Sequence, residues 1–151
     1  EVIQYLQYNM RSQMFAKSLP MAMVKGALKR LDMLRTMPEL KETLWKNTNA
    51  LQSGLRNAGF DLGTTQTCIT PVFLKGDIPE AMAMVNDLRE NHGIFCSIVV
   101  YPVIPKGLII LRLIPTTTHT QEDIDETITA FSAIREKLEN GTYKKIAATL
   151  V

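Results

Sequence analysis

Gly107-Leu108-Ile109-Ile110-Leu111-Arg112-Leu113-Ile114 is an apolar run carrying one charge, entered through Tyr101-Pro102-Val103-Ile104-Pro105-Lys106 and left at Pro115. A run this short, rich in branched aliphatics and bordered by proline and glycine, is a strand rather than a helix. Its arginine is the anomaly. A guanidinium among Leu and Ile is costly to bury unless an anion meets it, and no neighbour in sequence supplies one. The pattern points to a carboxylate or phosphate from elsewhere, since a planar fork of donors held on a strand suits bidentate anion binding. The other reading is an edge arginine whose head reaches solvent or a structural aspartate.

Helical periodicity fills most of the remaining chain. Val2, Ile3, Leu6 and Met10 share a face, and residues 11–20 read as a short extended or looping connection. From Pro20 the spacing of Met23, Ala27, Leu28, Leu31 and Leu34 predicts a helix to Thr36. Pro38 starts another, with Leu40, Leu44, Leu51 and Leu55 as its stripe, Trp45 beside it and Gly59 as its C-terminal cap. Ile69–Leu74 has strand composition, and Pro71 restricts its start to an edge or a bulge. Gly76-Asp77 marks a turn. A helix from Pro79 to Asn91 then turns Ala81, Met84, Val85 and Leu88 inward, and a strand covers Ile94 to Val100.

The order strand, helix, strand, strand lets the last pair form a hairpin across the Pro-containing turn. Thr120 with Asp123 three residues on is a capping-box start, followed by the stripe Ile124, Ile128, Phe131, Ile134 and Leu138 to Gly141. The tail from Thr142 is weakly patterned and is expected to be peripheral. The fold class is α/β in the α+β sense, a small sheet covered by helices.

At 151 residues the chain fits one domain of common size. A net charge of +2, with basic residues scattered rather than clustered, argues against a nucleic-acid partner. No apolar run approaches the length needed to span a bilayer, and Cys68 and Cys96 belong to no metal or redox spacing, so reduced thiols and a cytoplasmic protein are expected. The chain opens at Glu1, without methionine and already in helical periodicity, and is expected to be part of something longer.

Other candidate residues each have a plainer explanation. His119, just before a helix start, suits a general base or, more simply, a loop histidine that ends the strand. His92 at a helix C-terminus is explained by the helix dipole. The eight methionines, including Met21, Met23, Met82 and Met84, follow helical faces and read as core filler. Lys17-Ser18 lies where backbone N–H groups and a hydroxyl could hold an anion, or where Ser18 simply caps the helix at Pro20. Glycine-rich phosphate loops, Gly-x-Ser-x-Gly and His-Glu-x-x-His are all missing from the sequence. Alone, these residues do not make a self-sufficient enzyme.

In combination, Met14-Phe15-Ala16-Lys17-Ser18-Leu19-Pro20, Tyr101-Pro102-Val103-Ile104-Pro105-Lys106-Gly107, Arg112 and His119-Thr120 resemble, in order and spacing, the end of the α-oxoamine synthases. These are pyridoxal-phosphate enzymes of aminotransferase fold type I, including glycine C-acetyltransferase, 8-amino-7-oxononanoate synthase and serine palmitoyltransferase. The Tyr-Pro-Val-x-Pro-Lys-Gly form is most similar to the glycine C-acetyltransferase branch. The resemblance implies that residues 1–20 end the large cofactor domain and 21–151 are a linking helix and the small C-terminal domain with its short, mainly antiparallel sheet. The cofactor lysine would lie upstream, so the fragment alone would be inactive.

Arg112 matches the arginine that binds the carboxylate of the amino-acid substrate. Ala16 and Lys17 match positions that reach across a dimer interface to the cofactor phosphate. The family usually has small hydroxyl or amide side chains there, so the contact would use backbone N–H groups or the Lys17 charge. Thr120 matches a helix-starting position and is structural. The implied reaction joins glycine, alanine or serine to an acyl-CoA in a homodimer. An ordinary fold type I aminotransferase and a stand-alone non-catalytic module are the alternatives.

Overall fold

Proline, glycine and capping side chains set many of the element boundaries in the computed structural model of this chain, which describes residues 1–149. The chain divides into two units, the first Glu1–Pro38 and the second beginning at Glu39. The first is helical: α1 (Val2–Asn9), α2 (Arg11–Met14) and α3 (Met21–Thr36). The expected connection over residues 11–20 thus contains a turn of helix, set off from α1 by the extended backbone of Met10. Ser18 does not cap α3. Pro20 holds the N-cap position, and no side chain bonds the first turn. The apolar residues of α3 stay open, Met21, Met23, Leu28, Leu31 and Leu34 all being exposed.

The second unit contains α4 (Pro38–Asn57), β1 (Thr70–Lys75), α5 (Ile78–His92), β2 (Ser97–Val99), β3 (Leu108–Leu113), α6 (Gln121–Glu139) and α7 (Thr142–Thr149). Its sheet has the order β1-β3-β2 and both pairings are antiparallel. β1 is an edge strand, as Pro71 requires, and β2 with β3 makes the anticipated hairpin, although β2 is shorter than the expected Ile94–Val100.

Register separates the faces. On one, Val72, Leu111 and Ile98 stand side by side across the three strands, and with Ile109 and Leu113 they meet Leu51 and Leu55 of α4, Met84 and Leu88 of α5 and Phe131 and Ile134 of α6 in one core. Of the eight methionines read as filler, Met84 alone is buried, because it lies on the sheet-facing side of α5; Met10, Met14, Met21, Met23 and Met82 are exposed.

Helix ends carry the expected devices. Thr120 and Asp123 form a reciprocal capping box on α6, and Asp77 with Glu80 forms another on α5. At the end of α4 the Phe60 N–H donates to the Leu55 carbonyl and the Gly59 N–H to Arg56, with Gly59 left-handed at φ +84°. Arg135 of α6 completes this cap by donating from Nη1 to the Ala58 carbonyl (2.8 Å), its guanidinium over the Phe60 ring. A Cβ on Gly59 would stand 2.7 Å from Arg135 Nη1. Gly59→Ala is therefore expected to cost about 1–2 kcal/mol, from the left-handed backbone and displacement of Arg135. Thermal unfolding checks this.

The tail departs from expectation. Residues from Thr142 form α7, and Tyr143 is buried with its hydroxyl donating to Asp87 Oδ2 of α5. Weak patterning misled here because one tyrosine, rather than a stripe, anchors the helix.

Candidate functional site

Arg112 lies on the central strand, where alternation decides its direction. Ile109, Leu111 and Leu113 enter the core, so Leu108, Ile110, Arg112 and Ile114 belong to the opposite face. The expectation of a guanidinium enclosed among apolar residues is corrected accordingly. Arg112 is exposed, and its apolar neighbours Leu108 and Ile114 are largely open as well. It also has a local partner. Ser97 is directly opposite on β2, and Arg112 Nε donates to Ser97 Oγ at 2.9 Å. Pro71 of β1 is opposite on the other side. Among the described residues no carboxylate pairs with Arg112, and neither of its terminal nitrogens has a hydrogen-bond partner.

The turn before β3 has a cis Tyr101–Pro102 bond and Lys106 lying over the Tyr101 ring at 5.0 Å. After β3 the loop to α6 is fixed from within and from α4. His119 Nδ1 accepts from the Thr116 N–H at 2.9 Å, which leaves the neutral ring its proton on Nε2. Asn47 Nδ2 donates to both the Thr116 and His119 carbonyls, at 3.0 and 2.8 Å. His119 thus terminates the strand and orders the loop, the plainer of its two readings. Asp123 accepts from the Thr120 N–H and hydroxyl, which holds its carboxyl below the usual range.

A cleft of about 330 Å³ lies beside this loop, bringing together His119, Asp123, Glu126 and His92. The sequence suggests only a helix-end role for His92. It is half-buried, with Nε2 sealed from solvent and without a hydrogen-bond partner. Among the described residues no His, Cys, Asp and Glu cluster could hold a metal ion. Cys68 and Cys96 are free thiols, and burial pushes Cys96 up to about 11.

Ala16 and Lys17 lie in the first unit, in the stretch between α2 and α3. Both are exposed. The Ala16 N–H donates to the Gln13 carbonyl, whereas among the described residues those of Lys17 and Ser18 donate to no backbone group and Lys17 makes no ion pair. Free N–H groups beside an unpaired ammonium are the donor set a phosphate takes.

An antiparallel sheet with one helix-covered face, an open-face arginine and a helical segment preceding it can be set against known proteins. The family model of class I and II aminotransferases matches residues 1–131. The chain belongs to that family.

Within this aminotransferase family it is 69% identical over 150 residues to a cysteate-C-fatty acyltransferase of Capnocytophaga ochracea, covering 99% of this chain and 36% of the relative. It is 38% identical over 128 residues to a serine palmitoyltransferase of Sphingobacterium spiritivorum, covering 85% of this chain and 32% of the relative. A solved structure described as SPT with PLP internal aldimine superposes with a TM-score of 0.79 at 29% identity, over 91% of this chain and 34% of that one. The resemblance to α-oxoamine synthases stated from motifs is thereby supported, and the sheet and its helices form part of the fold type I architecture. The chain spans about a third of the length of the curated relatives it matches. Among the described residues no helix is long and apolar enough to cross a membrane.

Proposed function

We propose that this chain is part of a pyridoxal-phosphate-dependent α-oxoamine synthase that joins cysteate to a fatty acyl thioester. The observation that carries the reading is the 69% identity over nearly the whole chain to the Capnocytophaga cysteate-C-fatty acyltransferase, against 38% to a serine palmitoyltransferase. It favours cysteate over the glycine, alanine or serine suggested by motif resemblance. Residues 1–20 end the large domain, 21–151 provide the linking helix and small domain, and the enzyme is a cytoplasmic homodimer using an acyl-CoA.

The cofactor, when bound, supplies an electron sink that makes the amino acid's α-carbon nucleophilic toward the thioester carbonyl. Arg112 binds the substrate carboxylate through its two free terminal nitrogens, and so fixes the bond from the α-carbon to the carboxylate relative to the cofactor plane. Lys17, with the backbone N–H groups beside Ala16, holds the cofactor phosphate of the partner subunit.

Incubating the full-length protein with a long-chain acyl-CoA and either cysteate or serine tests the reading. Thiol release that depends on cysteate is the expected result. Equal release with serine would reassign the amino acid, and amino-group exchange with a keto acid without thiol release would favour an ordinary aminotransferase.

A further inference from the structure

Among the described residues Arg112 hydrogen-bonds one side chain, and that bond selects which of its nitrogens remain available. Strand register puts Ser97 opposite Arg112 on the open face of the sheet. Ser97 Oγ accepts from Nε at 2.9 Å and lies 3.5 Å from the Arg112 carbonyl, toward which its own O–H is directed. A lone pair of the hydroxyl is therefore turned to the guanidinium. An arginine has five N–H donors in a rigid plane. Engaging Nε leaves the four terminal protons, and the edge formed by the two terminal nitrogens is the one on which a carboxylate can sit with two parallel hydrogen bonds. The long side chain otherwise loses considerable rotamer freedom when it binds an anion.

We infer that Ser97 is a positioning residue for the substrate carboxylate: its hydroxyl holds the Arg112 guanidinium by Nε in the orientation that presents the terminal edge to the amino acid. This rests on the reading of Arg112 as the carboxylate ligand. Pro71, the neighbour on the other strand, has no polar side-chain atom and cannot perform the same task. The role belongs to a hydroxyl at this register position, so threonine should serve and valine, of the same shape, should not.

The test uses the full-length holoenzyme with Ser97→Thr, Ser97→Val, Ser97→Ala and Arg112→Ala. Amino-acid affinity is read from the substrate-dependent change in cofactor absorbance, and KM is measured separately for amino acid and acyl thioester. Loss of one hydrogen bond to a charged group corresponds to roughly tenfold weaker binding. The expected result is amino-acid affinity near wild type in Ser97→Thr, a fall of about tenfold in both Ser97→Val and Ser97→Ala, and an unchanged acyl-thioester KM. Normal binding in Ser97→Val and Ser97→Ala beside a large loss in Arg112→Ala overturns the inference and leaves the Arg112 reading standing. Normal binding in Arg112→Ala overturns both. An equal rise in both KM values shows a merely structural role and also overturns the inference.

Discussion

Arg112→Ala in the full-length protein is expected to weaken amino-acid binding by about a hundredfold or more while leaving the cofactor's absorbance in place. Truncating one partner of a hydrogen-bonded charge pair typically costs about 2–5 kcal/mol, roughly thirty- to several-thousandfold in affinity. Among the described residues the guanidinium has no carboxylate to satisfy, so its removal takes a donor only from the Ser97 hydroxyl and the loss falls mainly on the ligand. The core is untouched, because the side chain is exposed on the face away from Leu111 and Leu113. Arg112→Lys retains the charge but not the two-pronged geometry, and about tenfold weaker binding is expected. Titrating the holoenzyme with amino acid and following the cofactor spectrum measures both variants. Undiminished binding in the alanine variant would remove Arg112 from the site.

Much of the fold was legible because local signals agreed with tertiary ones. Thr120 and Asp123 announced the start of α6, and Pro71 marked β1 as an edge. Arg112 was picked out by its isolation among Leu and Ile, but its direction was hidden. Leu108, Ile110 and Ile114 share its face, so the alternation that would have shown one open side is masked by apolar residues on both. Ser97 could not be found from sequence, since it lies fifteen residues earlier and becomes a neighbour only through hairpin register. The burial of His92 Nε2 was equally silent, being a property of the folded chain that its place at a helix end does not announce.

The anchoring of the tail is hidden from the sequence for a related reason, and it supplies the largest expected effect on stability. Asp87 of α5 is nearly buried and accepts three hydrogen bonds: from Tyr143 on α7 at 2.5 Å, from Lys137 on α6 at 2.7 Å, and from Asn91 one turn along α5 at 2.6 Å. One carboxylate thus ties three helices. Tyr143→Ala removes a fully buried ring as well as a donor and is expected to cost about 3–5 kcal/mol, whereas Tyr143→Phe should cost about 1–2 kcal/mol. Hydrogen exchange of α5, α6 and α7 amides in the full-length protein measures both as local free energies.

Acid should weaken the same junction. Burial raises the Asp87 carboxyl, but the hydrogen bonds from Lys137, Tyr143 and Asn91 and the Lys137 charge outweigh it and lower it to about 2 from an ordinary 3.8. A depressed carboxylate stabilises the fold above its unfolded value and loses that contribution as pH falls through the folded one. The effect is roughly 2 kcal/mol, complete above about pH 5, mostly lost by about pH 2 and gone near pH 1. Tyr143 is pushed upward, by burial first and then by Asp87, so its share is constant through neutral pH and declines only above about pH 10. Asp87→Asn should therefore be less stable than wild type at pH 6 and close to it near pH 2. A stability difference that did not change with pH would mean that α7 is held by the packing of Tyr143 alone.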